Sequence, residues 1–93
     1  MPVEVFTAHK KNNADGNLIL VDRLSEMFSN SAKESGIAFS CVIIMSDYLK
    51  NTPSDQLKKD MTDCFECALK KCIAEGHFRM TMTVEDKVTI SYS

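Results

Sequence analysis

The stretch Thr52–Gly76, TPSDQLKKDMTDCFECALKKCIAEG, decides the fold. Thr52 suits a helix N-cap, Pro53 the first helical position, and Asp55 an acidic version of the capping box. Gly76 suits the left-handed residue that closes a helix. At about 100° per residue, Leu57, Met61, Cys64, Ala68 and Cys72 form one stripe, with Phe65 beside it. Lys59, Asp63, Glu66 and Lys70 lie opposite. The spacing predicts one long amphipathic helix. Asp55–Lys59 and Glu66–Lys70 stand at i,i+4 in the favourable acid-first order, each worth about 0.2–0.5 kcal/mol on a solvated face.

Three of the four cysteines ride on this helix. Cys64-Phe65-Glu66-Cys67 is a CxxC. A redox CxxC opens a helix, where the dipole lowers the thiol pKa, whereas this pair lies about three turns inside. A structural zinc site takes four ligands, usually paired on turns. Only His9, Cys41 and His77 are available to add ligands, and none has paired spacing. Cys64 and Cys72 therefore read as small core hydrophobes and Cys67 as marginal. No metal and no cofactor is expected.

Upstream, Ile37–Ser46 (IAFSCVIIMS) is nearly continuous apolar sequence, which reads as a central strand covered on both faces. Asp47–Asn51 reads as a loop. Downstream, Phe78, Met80, Met82 and Val84 alternate with Arg79, Thr81 and Thr83. Glu85-Asp86-Lys87 turns the chain. Val88, Ile90 and Tyr92 then oppose Thr89 and Ser91. This is an antiparallel hairpin with one wet face.

The first third is less decided. Pro2–Ala8 alternates weakly and reads as a strand, and His9–Gly16 as a polar loop. Asn17 or Asp15 then caps a helix to Ser35, with stripe Leu20, Leu24, Met27, Phe28 and Ala32 and a stop at Gly36. The competing reading makes Asn17–Val21 a short strand hairpinned to the first, with the helix starting at Asp22. The helical reading is preferred.

The expected fold is α+β, an α/β two-layer sandwich. The order is β-α-β-α-β-β, with a mixed four-stranded sheet and two helices on one face. All 93 residues make one domain. Apolar residues at 44% and charged residues at 26% are ordinary for a globular chain. The net charge of −2 gives no electrostatic reason to expect nucleic acid, and the small His9-Lys10-Lys11 cluster has no interleaved aromatic. No apolar run is long enough for a membrane helix, and the first residues carry no secretory signal. A reducing, cytoplasmic setting is expected, with the cysteines as thiols.

No P-loop, GxGxxG or Ser/His/Asp ordering appears. The expected function is that of a non-catalytic binding module: an inhibitor, immunity-type or phage-encoded accessory protein. Its partner is another protein, met at an exposed strand edge or at the hairpin's polar face. The candidate binding residues are Arg79, Thr81, Thr83, Thr89, Ser91 and Tyr92. Self-association into a dimer is expected, since so small a domain gains stability by pairing edges.

An alternative starts from four features. Pro2-Val3 opens a strand, Asp15-Gly16 precedes a helix, Lys33 sits near that helix's end, and Val88-Thr89-Ile90-Ser91-Tyr92 closes the chain. In these the chain resembles the macrophage migration inhibitory factor branch of the tautomerase superfamily. The resemblance implies an enzyme with Pro2 as general base and Lys33 as a substrate-anion contact. The chain departs from that pattern where the family has a strand before its second helix.

Overall fold

The structure is a computed structural model that describes residues 14–93. The elements are α1 (Ala14–Glu34), β1 (Ala38–Ile43), α2 (Asp47–Asn51), α3 (Ser54–Glu75), β2 (Arg79–Val84) and β3 (Val88–Tyr92). The fold is α+β, with a three-stranded mixed sheet carrying α1 and α3 on one face. The strand expected over Pro2–Ala8, and with it the fourth sheet position, lies outside the described residues, as does the His9–Lys11 cluster. No described helix is long and apolar enough to cross a membrane.

The helical reading of residues 17–21 is the observed one. Val21, Leu24, Phe28 and Ala32 are buried at helical spacing, Leu20 is half-buried, and Met27, expected in the stripe, is 61% exposed. Asn17 caps nothing on α1, because its side chain is fully buried and bonded elsewhere. Gly36, at φ +74°, closes the helix: its N–H bonds to Lys33 O and that of Ile37 to Ala32 O, a Schellman motif. Gly76, at φ +73°, closes α3 in the same way, with its N–H on Ile73 O and that of His77 on Cys72 O.

Helix α3 buries Leu57, Met61, Phe65, Ala68 and Cys72, close to the expected stripe. Its start differs. Residues 47–51, expected as a loop, form α2. Ser46 caps it, accepting from Leu49 N at 3.1 Å and donating to Glu85 O. Thr52 is therefore the C-cap of α2 and not the N-cap of α3. Pro53 stands at the N-cap of α3 without a side-chain cap, since its ring carries no polar atom, and the Ser54 hydroxyl donates to Asn17 Oδ1 at 2.8 Å.

The strand order is β1-β2-β3. β1 runs parallel to β2, from Ala38 beside Arg79 to Ile43 beside Val84. β2 and β3 form the expected hairpin, Met80 opposite Tyr92 and Val84 opposite Val88. The hairpin's first strand, β2, is thus the centre of the sheet among the described residues. The Ile37–Ser46 run, expected to be central and covered on both faces, forms an outer strand among the described residues, covered on one face only. Apolar composition alone does not fix how many neighbours a strand has.

Pleating sorts the sheet into rows. Phe39–Met80–Tyr92, Cys41–Met82–Ile90 and Ile43–Val84–Val88 face the helices, with Met80, Met82 and Val84 fully buried. α1 lies over β1 and α3 over β3. They meet at Phe28 and Phe65, whose rings stack at 4.3 Å and 9°. Phe39 rises edge-on to both, at 5.9 and 5.5 Å. Three elements are tied through one aromatic cluster.

Candidate protein-binding surface

The opposite sheet face carries no helix. Its rows are Ala38–Arg79, Ser40–Thr81–Ser91 and Val42–Thr83–Thr89. Five of the six residues expected to bind, Arg79, Thr81, Thr83, Thr89 and Ser91, are brought together there. Arg79, Thr89 and Ser91 are exposed, and Thr81 and Thr83 are half-buried between their neighbours. The face is short-chained, hydroxyl-bearing and almost uncharged, a surface another β-layer or flat epitope can approach closely.

Tyr92, the sixth, is on the other face. It sits opposite buried Met80, its ring stacks on His77 at 5.1 Å, and Lys71 Nζ lies 5.9 Å from its centroid. Burial and the Glu75 carboxylate push its phenol up. His77 Nε2 lies 3.1 Å from Glu75 Oε1, just past the helix end. Phe78 is 78% exposed, since the helix-facing row begins only at Met80.

The outer edge of β1 was the unexpected feature. Ala38 N bonds to Phe78 O and Ile44 N to Val84 O, so the alternate amides of Phe39, Cys41 and Ile43 point away from β2. Among the described residues nothing pairs with them. Val42, Ile43, Ile44 and Met45 are 38–50% exposed. The sequence signal was the complete lack of charge from Ile37 to Ser46.

The cysteines are free thiols: Cys72 is buried, Cys41 and Cys64 half-buried, and Cys67 exposed. Burial pushes Cys41, Cys64 and Cys72 up, with a Ser25 hydrogen bond offsetting part of this at Cys41. Cys72 Sγ lies 3.6 Å from His77 O. Among the described residues no group of three or more His, Cys, Asp or Glu side chains has metal-holding geometry. On the solvent side, Lys59 pairs with Asp63 at 3.0 Å rather than with Asp55. Tyr48 donates to Asp60 at 2.6 Å, and burial with this bond pushes its phenol up.

Among the described residues, two of the recesses along α1 also touch a second element. One of about 600 Å³ runs between α1 and α3 over the Phe28–Phe65 stack, rimmed by Lys58 and Lys70. The other, about 400 Å³, lies between Ser29 and Lys33 of α1 and the start of β1. Lys33 is thus exposed at the end of α1, while Pro2, the other residue of the tautomerase resemblance, lies outside the described residues. Comparison with protein-family models, curated proteins and solved structures finds no match.

Proposed function

We propose that this chain is a small cytoplasmic, non-catalytic module that binds another protein through its open sheet face, in the manner of an inhibitor, immunity-type or accessory protein. The observation that carries this reading is the clustering of Arg79, Thr81, Thr83, Thr89 and Ser91 on a face without helices. A folded sheet face made mostly of short hydroxyl side chains, with the Arg79 charge at one end, gives a partner flat contact and hydroxyl hydrogen bonds at little desolvation penalty. The same face offers a second copy a self-complementary surface, so a homodimer belongs to the proposal. With it goes the full β-α-β-α-β-β order, Pro2–Ala8 supplying a fourth strand.

The test is affinity capture with the intact chain beside a Thr89→Lys/Ser91→Lys variant. Both substitutions fall on exposed positions of β3. The variant is expected to keep its circular dichroism and melting temperature and to lose the captured partner. Equal capture by both chains would remove the open face from consideration.

A further inference from the structure

We infer that the groove between α1 and α3 is a binding site for a small amphiphilic anion, an alkyl carboxylate of medium chain length, with its tail on the Phe28–Phe65 stack and its head at Lys58.

The first observation is an apolar side chain left outside the core. Met27 belongs by helical spacing to the stripe of Leu24 and Phe28, yet it is 61% exposed. It lines the groove together with Leu24 of α1 and Leu69 of α3. The two rings beneath them stack at 4.3 Å. An unbranched thioether adapts its shape to whatever lies against it. This wall therefore suits a flexible apolar occupant.

The second is size. The groove holds about 600 Å³, inside the range of roughly 300–1,000 Å³ for small-molecule sites. Its wall on α1 runs from Leu24 to Ser31, about 10 Å of helix at about 1.5 Å per residue. Packed helices stand about 8–10 Å apart. The trough between them admits an alkyl chain along its length, whereas the backbone of a further helix stays outside it.

The third is charge. Two lysines and one carboxylate line the groove, all on α3. Lys70 follows Glu66 at i,i+4, a spacing at which opposite charges offset each other. The residue four places after Lys58 is Thr62, a neutral hydroxyl that also lines the groove. The neighbouring Lys59 is committed to Asp63 at 3.0 Å. The Lys58 end thus offers an ammonium and a hydroxyl donor to a carboxylate, and the Lys70 end offers a cation already offset. A single negative head on a short tail matches that asymmetry.

The experiment is a titration of the full chain with octanoate, and with 1-octanol as the uncharged counterpart, followed by methyl and aromatic NMR. Octanoate is expected to shift Met27, Leu24, Leu69, Phe28 and Phe65 saturably, with a dissociation constant of about 5 mM or tighter. Octanol should move the same signals, and less at equal concentration. Lys58→Glu, at an exposed position, should keep the melting temperature and weaken octanoate at least about fivefold while leaving the octanol shifts unchanged. Lys70→Glu should weaken octanoate by less than about twofold. Met27→Glu, also exposed, should abolish binding of both probes. The absence of saturable shifts up to about 20 mM overturns the inference. So do shifts spread evenly over the surface, equal octanoate binding by the wild type and Lys58→Glu, or a larger loss at Lys70→Glu. A Met27 methyl signal that moves on dilution of the ligand-free chain identifies a second copy as the cover and overturns it too.

Discussion

The side-chain amide of Asn17, in the first turn of α1, donates a 2.6 Å hydrogen bond to the carbonyl of Leu49 in α2. Its second proton goes to Thr52 O at 2.9 Å, and its oxygen accepts from Ser54 at 2.8 Å. One fully buried residue thus holds α1 to the joint between α2 and α3. Buried polar groups are worth little when paired and are expensive when orphaned. Asn17→Ala removes both donors from two carbonyls at once, and about 2–4 kcal/mol of stability should go, at roughly 1–3 kcal/mol for each carbonyl left dry and less where water reaches it. Urea denaturation measures this; a change under about 0.5 kcal/mol would show that the joint is held by packing alone.

Phe65 touches both other rings of the aromatic cluster. Phe65→Ala should lower stability by about 3–5 kcal/mol, the usual range for opening such a cavity. A domain of this size holds only about 5–15 kcal/mol in total. A calorimetric melt is expected to broaden and fall. Little change would mean that the recess beside Phe28 collapses to fill the gap.

Gly36 and Gly76 both sit in left-handed backbone with open space where a Cβ would go. Alanine at either therefore meets no clash, and only the conformational penalty of about 1–2 kcal/mol remains. The two variants should be destabilised nearly equally in urea. A clear inequality would show that one closure carries more than its backbone angle.

Burial raises the Cys41, Cys64 and Cys72 thiols. A group raised in the folded state stays protonated there while the unfolded chain loses its proton. Stability is therefore full below about pH 8.5, the ordinary thiol value, and declines as pH rises past it. The urea midpoint should fall between pH 7 and 9.5, and Cys72→Ala should flatten that fall. A midpoint that stays level over the range would contradict the burial argument. In the same samples, exposed Cys67 should be the first thiol alkylated.

If the chain works by binding, Pro2→Ala should leave partner capture unchanged, and the wild type should not turn over a phenylpyruvate-type substrate between keto and enol forms. Turnover that vanishes in Pro2→Ala would replace the binding module with the enzyme.

Helix α3 was legible because periodicity and a closing glycine agree over Ser54–Glu75, and the hairpin because alternation runs cleanly from Met80 to Ile90. The five hydroxyl and Arg positions of the open face followed from the same alternation. Tyr92 did not, although its parity with Val88 and Ile90 already assigned it to the helix side. The rest was hidden for physical reasons. A five-residue helix such as α2 is too short for periodicity, and its signal is the single Ser46 cap. The role of Asn17 depends on partners more than thirty residues away. The outer position of β1 depends on which strand it meets after a long crossover, and residue type along β1 carries no record of that.

Placing the central strand at Arg79–Val84 also orders events during synthesis. Every described ladder bond has β2 on one side. A nascent chain that has emerged only as far as Gly76 holds both long helices and β1, yet has no described strand to join β1 to. Chaperone capture of that unfinished form, and its clearance when translation stalls, should therefore drop abruptly once residues 79–92 have left the ribosome.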